Sequence, residues 1–171
     1  MDIADDAPRV VCFTREMAAP AAVVFELIAD PAQQPRWDGN NNLGSAAPGQ
    51  RVRAVGDAFT TLVSGRQMDG SAYPPGPGSR ANRPPERVNH VVEFEEGRRI
   101  AWRPSEVEQR PPGHLWRWEI VPLGPDRCRV THTYDWTELD DPARLARARS
   151  TTPERLAASV DRLAALAEAA G

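Results

Sequence analysis

From Arg127 to Trp136 the chain alternates strictly: Cys128, Val130, His132, Tyr134 and Trp136 fall on one face, and Arg127, Arg129, Thr131, Thr133 and Asp135 on the other. Successive side chains of a strand point to opposite sides, so the pattern predicts a long antiparallel strand with one buried and one wet face. Gly113 to Pro122 repeats it, with His114, Trp116, Trp118 and Ile120 opposite Arg117 and Glu119. After Arg87, Val88, His90, Val92 and Phe94 alternate with Asn89, Glu93 and Glu95. Glu96-Gly97-Arg98 and Gly124-Pro125-Asp126 read as tight turns, the first leading into a strand over Arg99 to Arg103. Strands with one apolar face need a cover. The C-terminus supplies it, with Leu156, Ser159, Val160, Leu163, Leu166 and Ala167 at helical spacing opposite Glu154, Asp161, Arg162 and Glu168. Thr151 and Glu154 are spaced as a capping box at its start.

Upstream, Arg9 to Glu16 is rich in β-branched and aromatic residues and reads as a strand. Pro20 then suits a helix start, with Val23, Val24, Leu27 and Ile28 at helical spacing over Ala21 to Ala29. Asp30-Pro31 opens a second short helix running to Trp37-Asp38, and short strands are expected at Arg51 to Val55 and Ala58 to Ser64. Asp141-Pro142 starts a further short helix to about Arg149. The order predicts an α+β fold: a curved antiparallel sheet wrapped around a long C-terminal helix, with two short helices after the first strand. At 171 residues the chain fits one domain over 1–171, long enough to bury roughly 70% of its unfolded surface without metal or disulfide support.

Proline is the compositional outlier, at 17 residues beside 12 glycines. Five prolines and two glycines fall in Ser71 to Arg87, too many to supply the amides of a sheet ladder, so 71–87 reads as a long loop, either a lid or disordered. Within it Gly76-Pro77-Gly78-Ser79-Arg80-Ala81 matches a dinucleotide-binding pattern only formally, because no strand precedes it and Pro84-Pro85 follows where a helix is required. No Walker A, G-x-S-x-G or H-E-x-x-H motif occurs, and no cofactor is implied.

The net charge of −3 and the pI near 5.7 give no reason to expect nucleic acid or an anionic membrane as partner. All 21 basic residues are arginine. Arg80, Arg83 and Arg87 lie in the proline-rich segment and Arg66 ahead of it, where solvated surface charge accounts for them before an acidic ligand group does. The acidic N-terminus and the interrupted apolar stretch from Met17 to Leu27 predict neither a secretion signal nor a spanning helix, and Cys12 and Cys128 form no C-x-x-C. The expected location is the cytoplasm.

The segments FTREMAAPAAVVFELIADPAQQPRWD, VNHVVEFEEGRRIAW, LWRWEIVPLGPDRCRVTHTYDW and LAASVDRLAALAEA, in this order, resemble the START and Bet v 1-like (SRPBCC) superfamily, in particular its polyketide cyclase/dehydrase group. The resemblance implies a helix-grip fold in which the sheet wraps the last helix around a hydrophobic cavity. Relatives of this architecture include aromatase/cyclases, lipid and quinone carriers and hormone-binding proteins. The proline-rich 71–87 segment departs from the plain pattern.

His90, His114 and His132 all fall on faces expected to point inward, either lining the cavity as proton donors or acceptors or tied off within a core. No pair sits at metal-ligand spacing and no carboxylate shares their faces, so no metal site is expected. Trp102, Trp116, Trp118 and Trp136, with Tyr134, serve equally as core packing or as a stacking wall for a planar ligand; Trp37 reads as structural. The expected ligand-binding set is His90, Phe94, Trp102, His114, Trp116, Trp118, His132, Tyr134, Trp136, Val160 and Leu163. Three functions follow. The first is binding of a small, largely hydrophobic molecule; the second is a cyclase or dehydratase using His132, Tyr134 or His114 as acid and base; the third is a protein-interaction module without a ligand.

Overall fold

The computed structural model describes residues 8–39, 44–63 and 86–170. In chain order they form β1 (Val10–Met17), α1 (Ala21–Ala29), a 3-10 turn (Pro31–Gln33), α2 (Gln34–Trp37), β2 (Ala58–Leu62), β3 (Glu86–Glu95), β4 (Arg99–Ser105), β5 (Leu115–Gly124), β6 (Arg127–Asp135), α3 (Pro142–Arg149) and α4 (Pro153–Ala170). The strands make one open antiparallel sheet in the order β1-β6-β5-β4-β3-β2, curved around α4 in the helix-grip arrangement. Among the described residues, no helix is long and apolar enough to cross a membrane.

The helix boundaries follow local chemistry. Pro20 precedes α1, and Asp30 caps the next turn by accepting the Ala32 amide at 3.1 Å. Asp141 caps α3 through the Ala143 amide at 3.0 Å, with Pro142 at the first helical position. For α4 the cap is Thr152, whose hydroxyl accepts the Arg155 amide, one residue after the expected Thr151, so Thr151 and Glu154 do not form the expected capping box. Thr151 is buried instead. The α4 stripe buries Leu156, Ser159, Val160, Leu163, Ala164 and Ala167, with Leu166 at its margin.

Two expectations are corrected. Arg51 to Val55 is not a strand; Val52 is pinned by donating to the Ala29 carbonyl at 3.0 Å, and its buried side chain gave the segment its strand-like look. In β3, the register with β4 shifts between Val91 and Glu93, which leaves Val92 as the extra residue of a bulge. A bulge reverses face parity. Ahead of it Asn89 and Val91 are buried, while His90 lies on the face away from α4, where its Nε2 meets the Ser105 hydroxyl at 3.0 Å. Beyond it Phe94 packs into the core edge-on to Phe25, as expected, and Glu93 pairs with Arg117 at 2.5 Å on the opposite face. The inward assignment of Val88, His90 and Val92 is therefore overturned, and Asn89, expected outside, faces inward. The 71–87 segment, apart from Glu86 and Arg87, lies outside the described residues, as do the formal glycine motif and Arg66, Arg80 and Arg83.

The buried side chains form two clusters. The larger joins α1, α4 and the sheet around Val24, Phe25, Ile28, Trp118, Val130, Val160 and Leu163; the smaller gathers Tyr134, Trp136, Leu139, Ala148 and Leu156. The chain after α2 crosses α4 closely at Gly39, whose amide donates to the Ser159 hydroxyl at 3.1 Å. A Cβ at Gly39 would sit 2.3 Å from the Ala158 backbone carbon. Gly39→Ala should therefore force α2 and α4 apart and cost about 1–3 kcal/mol, as overpacking does. A thermal melt unchanged from the unsubstituted protein would contradict this.

Candidate functional site

Where the two clusters meet, between the sheet and α4, lies a cavity of about 190 Å³. Its aromatic wall follows from the register of β5 with β6. Trp118 lies directly across from His132, and Trp116 across from Tyr134. Cross-strand pairs on one face hold side chains a few ångströms apart, and these stack. The Trp118 and His132 rings are 3.7 Å apart and nearly parallel, and Trp116 lies 4.3 Å from Tyr134 and 5.4 Å from His132. Trp37 closes on Trp118 edge to face at 5.2 Å, and His114 on Tyr134 at 6.0 Å.

The rest of the lining mixes apolar and polar side chains. Gln34 and Trp37 come from α2 and Asp38 from its end, Thr61 from β2, Asn89 from β3 and Ser159 from α4. The buried amides are committed: Gln34 donates to the Ile28 carbonyl at 3.2 Å, and Asn89 to the Phe59 carbonyl and the Thr61 hydroxyl. α3 and the chain after it contribute Arg144, Arg147, Ala148, Ser150 and Thr151 to the rim, and β3 contributes Arg87.

His132 carries the most specific chemistry. Its Nδ1 lies 3.1 Å from the Arg117 carbonyl oxygen. A carbonyl only accepts, so Nδ1 bears the proton and Nε2 of the neutral ring presents a bare lone pair. Burial pushes its pKa down to about 3, outweighing the opposite pull of that hydrogen bond. His114 is also lowered to about 3, first by burial and then by the positive charges of Arg144, Arg87, Arg103 and Arg147. Both rings are neutral near pH 7. Among the described residues, no group of three His, Cys, Asp or Glu side chains is placed to hold a metal ion.

Of the residues read from the sequence as ligand-binding, Trp102, His114, Trp116, Trp118, His132 and Tyr134 line this cavity together. The other five lie elsewhere. His90 is on the opposite face, and Phe94, Val160 and Leu163 fill the larger cluster. Trp136 packs beside Tyr134 in the smaller one, with ring centres 5.3 Å apart. Trp37 does both jobs: its indole N–H donates to the Leu27 carbonyl at 2.7 Å while its ring lines the cavity. The sequence reading missed Gln34, Asn89, Thr61, Ser159 and the α3 arginines. The polar Ser159 on the apolar stripe of α4 was the one signal available for this part of the lining.

Residues 10–168 match the family described as polyketide cyclase / dehydrase and lipid transport. The uncharacterized protein Rv0088 of Mycobacterium tuberculosis is 30% identical over 136 residues, which cover 78% of this chain and 50% of that protein. The chain thus spans about half the length of the curated relatives it matches. Among solved structures, a START superfamily protein from Mycobacterium smegmatis superposes with a TM-score of 0.60 at 19% identity, covering 95% of this chain and 99% of that one. The ZhuI aromatase/cyclase from Streptomyces sp. R1128 gives 0.55 at 18% identity, covering 94% and 93%. At these identities the structures establish the shared fold, and the family match establishes membership: the chain belongs to the polyketide cyclase/dehydrase and lipid transport family.

Proposed function

We propose that this protein binds a small, planar, largely apolar molecule bearing a hydroxyl-type donor in the cavity between the sheet and α4. The observation that carries it is the stacked wall of Trp116, Tyr134, Trp118 and His132, in which His132 offers Nε2 as an acceptor with its tautomer fixed from behind. A ring system stacking on that wall gains from apolar burial, and a hydroxyl reaching Nε2 adds direction. The volume, about 190 Å³, exceeds the ~150 Å³ of an engineered apolar cavity that takes benzene, so a two-ring body is a reasonable size.

Turnover of a polyketide-like substrate is the second reading, supported by the family description. An imidazole with a pKa near 3 is a weak base and is not an imidazolium acid near pH 7, which weighs for binding over acid–base chemistry.

The test compares 2-naphthol with 2-methoxynaphthalene by calorimetry. 2-Naphthol should bind about 3–10-fold tighter, the worth of one neutral hydrogen bond, and His132→Phe should erase the difference. Ala148→Phe, which fills the rim from a buried position on α3, should abolish binding of both. Equal affinities of the two compounds would remove His132 as the acceptor, and binding that survives Ala148→Phe would remove the cavity as the site.

A further inference from the structure

The cavity is charged unevenly. Three of its lining residues are arginines: Arg87 near the start of β3, and Arg144 and Arg147 one turn apart on α3. The i, i+3 spacing puts the last two on one helix face together with Ala148, which is buried against the smaller cluster. Among the described lining residues the one carboxylate is Asp38, at the end of α2. Arg144 has Glu106 and Asp141 at 3.7 and 3.4 Å, single long contacts that leave a forked guanidinium far from saturated. Arg103, paired across β3 and β4 with His90 and outside the lining, is held by Glu138 at 3.1 Å and by the Gly113 carbonyl at 3.2 Å.

His114 independently samples the field at this rim. After burial, the next largest causes that lower its pKa are four guanidiniums, Arg144, Arg87, Arg103 and Arg147. Three guanidiniums lining one cavity beside an aromatic wall present forked, charged donors to an oxyanion. Arginine is the side chain best shaped for the task, because its planar fork meets carboxylate or phosphate oxygens in pairs.

We propose that the ligand of this cavity is an amphiphilic acid, whose oxyanion sits against Arg87, Arg144 and Arg147 while its apolar body stacks on Trp116 and Tyr134. This rests on the cavity-binding reading above and adds the charge of the ligand to it. α3 then acts as the recognition element, since it carries two of the three arginines and the buried Ala148.

The test uses 2-naphthoate and its neutral isostere 2-naphthamide with the full chain, by calorimetry at pH 7.5 and low salt. 2-Naphthoate should bind on the order of tenfold tighter, the worth of a charge-assisted hydrogen bond, and the preference should shrink as salt screens the rim. The double variant Arg144→Gln/Arg147→Gln should remove most of the preference for 2-naphthoate over 2-naphthamide. Arg144→Lys/Arg147→Lys should keep most of the preference. Equal affinities in the unsubstituted protein, or a preference that persists in the glutamine variant, would overturn the inference and leave the cavity reading standing. Failure of both compounds to bind, or binding undiminished by Ala148→Phe, would overturn the cavity reading and the inference with it.

Discussion

Trp118→Ala is expected to lower the free energy of unfolding by about 3–5 kcal/mol, at the upper end of aromatic truncations in cores. Trp118 has 0% exposure, stacks on His132 at 3.7 Å and takes Trp37 on its edge at 5.2 Å. It joins the larger cluster to the cavity wall, so its loss merges a new void with the existing one and strips both neighbours of contacts. Trp116, in the same wall but only half-buried, should cost clearly less when truncated. Urea unfolding of the two variants checks the order. A Trp118→Ala loss below about 1 kcal/mol, or a larger loss for Trp116→Ala, would show that the ring stack does not bear on stability in this way.

The second large effect is acid sensitivity. The native His132 pKa is about 3, whereas the unfolded imidazole titrates near 6.5. Between those values the unfolded chain holds a proton that the native state does not, so stability rises with pH through this window and is complete above it. His132 alone should remove about 1.4 kcal/mol for each pH unit below 6.5, hence ~2 kcal/mol by pH 5. His114, lowered to the same value, acts in the same direction. The carboxylates of Glu16 and Glu96, held below their usual range chiefly by hydrogen bonds from Arg127 and Arg51, contribute stability that is lost only at lower pH. The window from pH 6.5 to 5 therefore isolates the imidazoles. His132→Asn keeps a donor for the Arg117 carbonyl but cannot titrate. It should be less stable at pH 7 and yet have the flatter stability curve between pH 6.5 and 5. Parallel curves for the two proteins there would refute the depressed pKa.

The aromatic wall was legible in the sequence because β5 and β6 carry it on unbroken alternations: His114, Trp116 and Trp118 on one strand, His132 and Tyr134 on the next. Their meeting needs only a tight turn at Gly124 to bring the register into line, and Pro125-Asp126 announced that turn. β3 shows the opposite case. Val88, His90, Val92 and Phe94 form as good an alternation as any, yet one extra residue at Val92 sends His90 to the far face and brings Asn89 in. Nothing in the local pattern distinguishes a bulge from a continuous strand, because the shift is set by how β3 must pair with β4 while curving. The α4 stripe was likewise readable from its period, but which part of it touches the cavity was not. Val160 and Leu163 pack against α1 and the sheet, and Ser159 and Leu156 meet the cavity.

Most of the secondary elements, the inward faces of β5 and β6 and the resemblance to a helix-grip family were readable along the chain, because each rests on residues close together and on periods fixed by backbone geometry. Where space remains was settled by the packing of distant elements. An empty volume belongs to no residue; it is what is left when α2, α3, α4 and the sheet settle at distances set by their bulkiest contacts. That packing also decided that arginines on α3 and near the start of β3, far apart in sequence, share one rim, since charges reveal a common field only when the fold has brought them together.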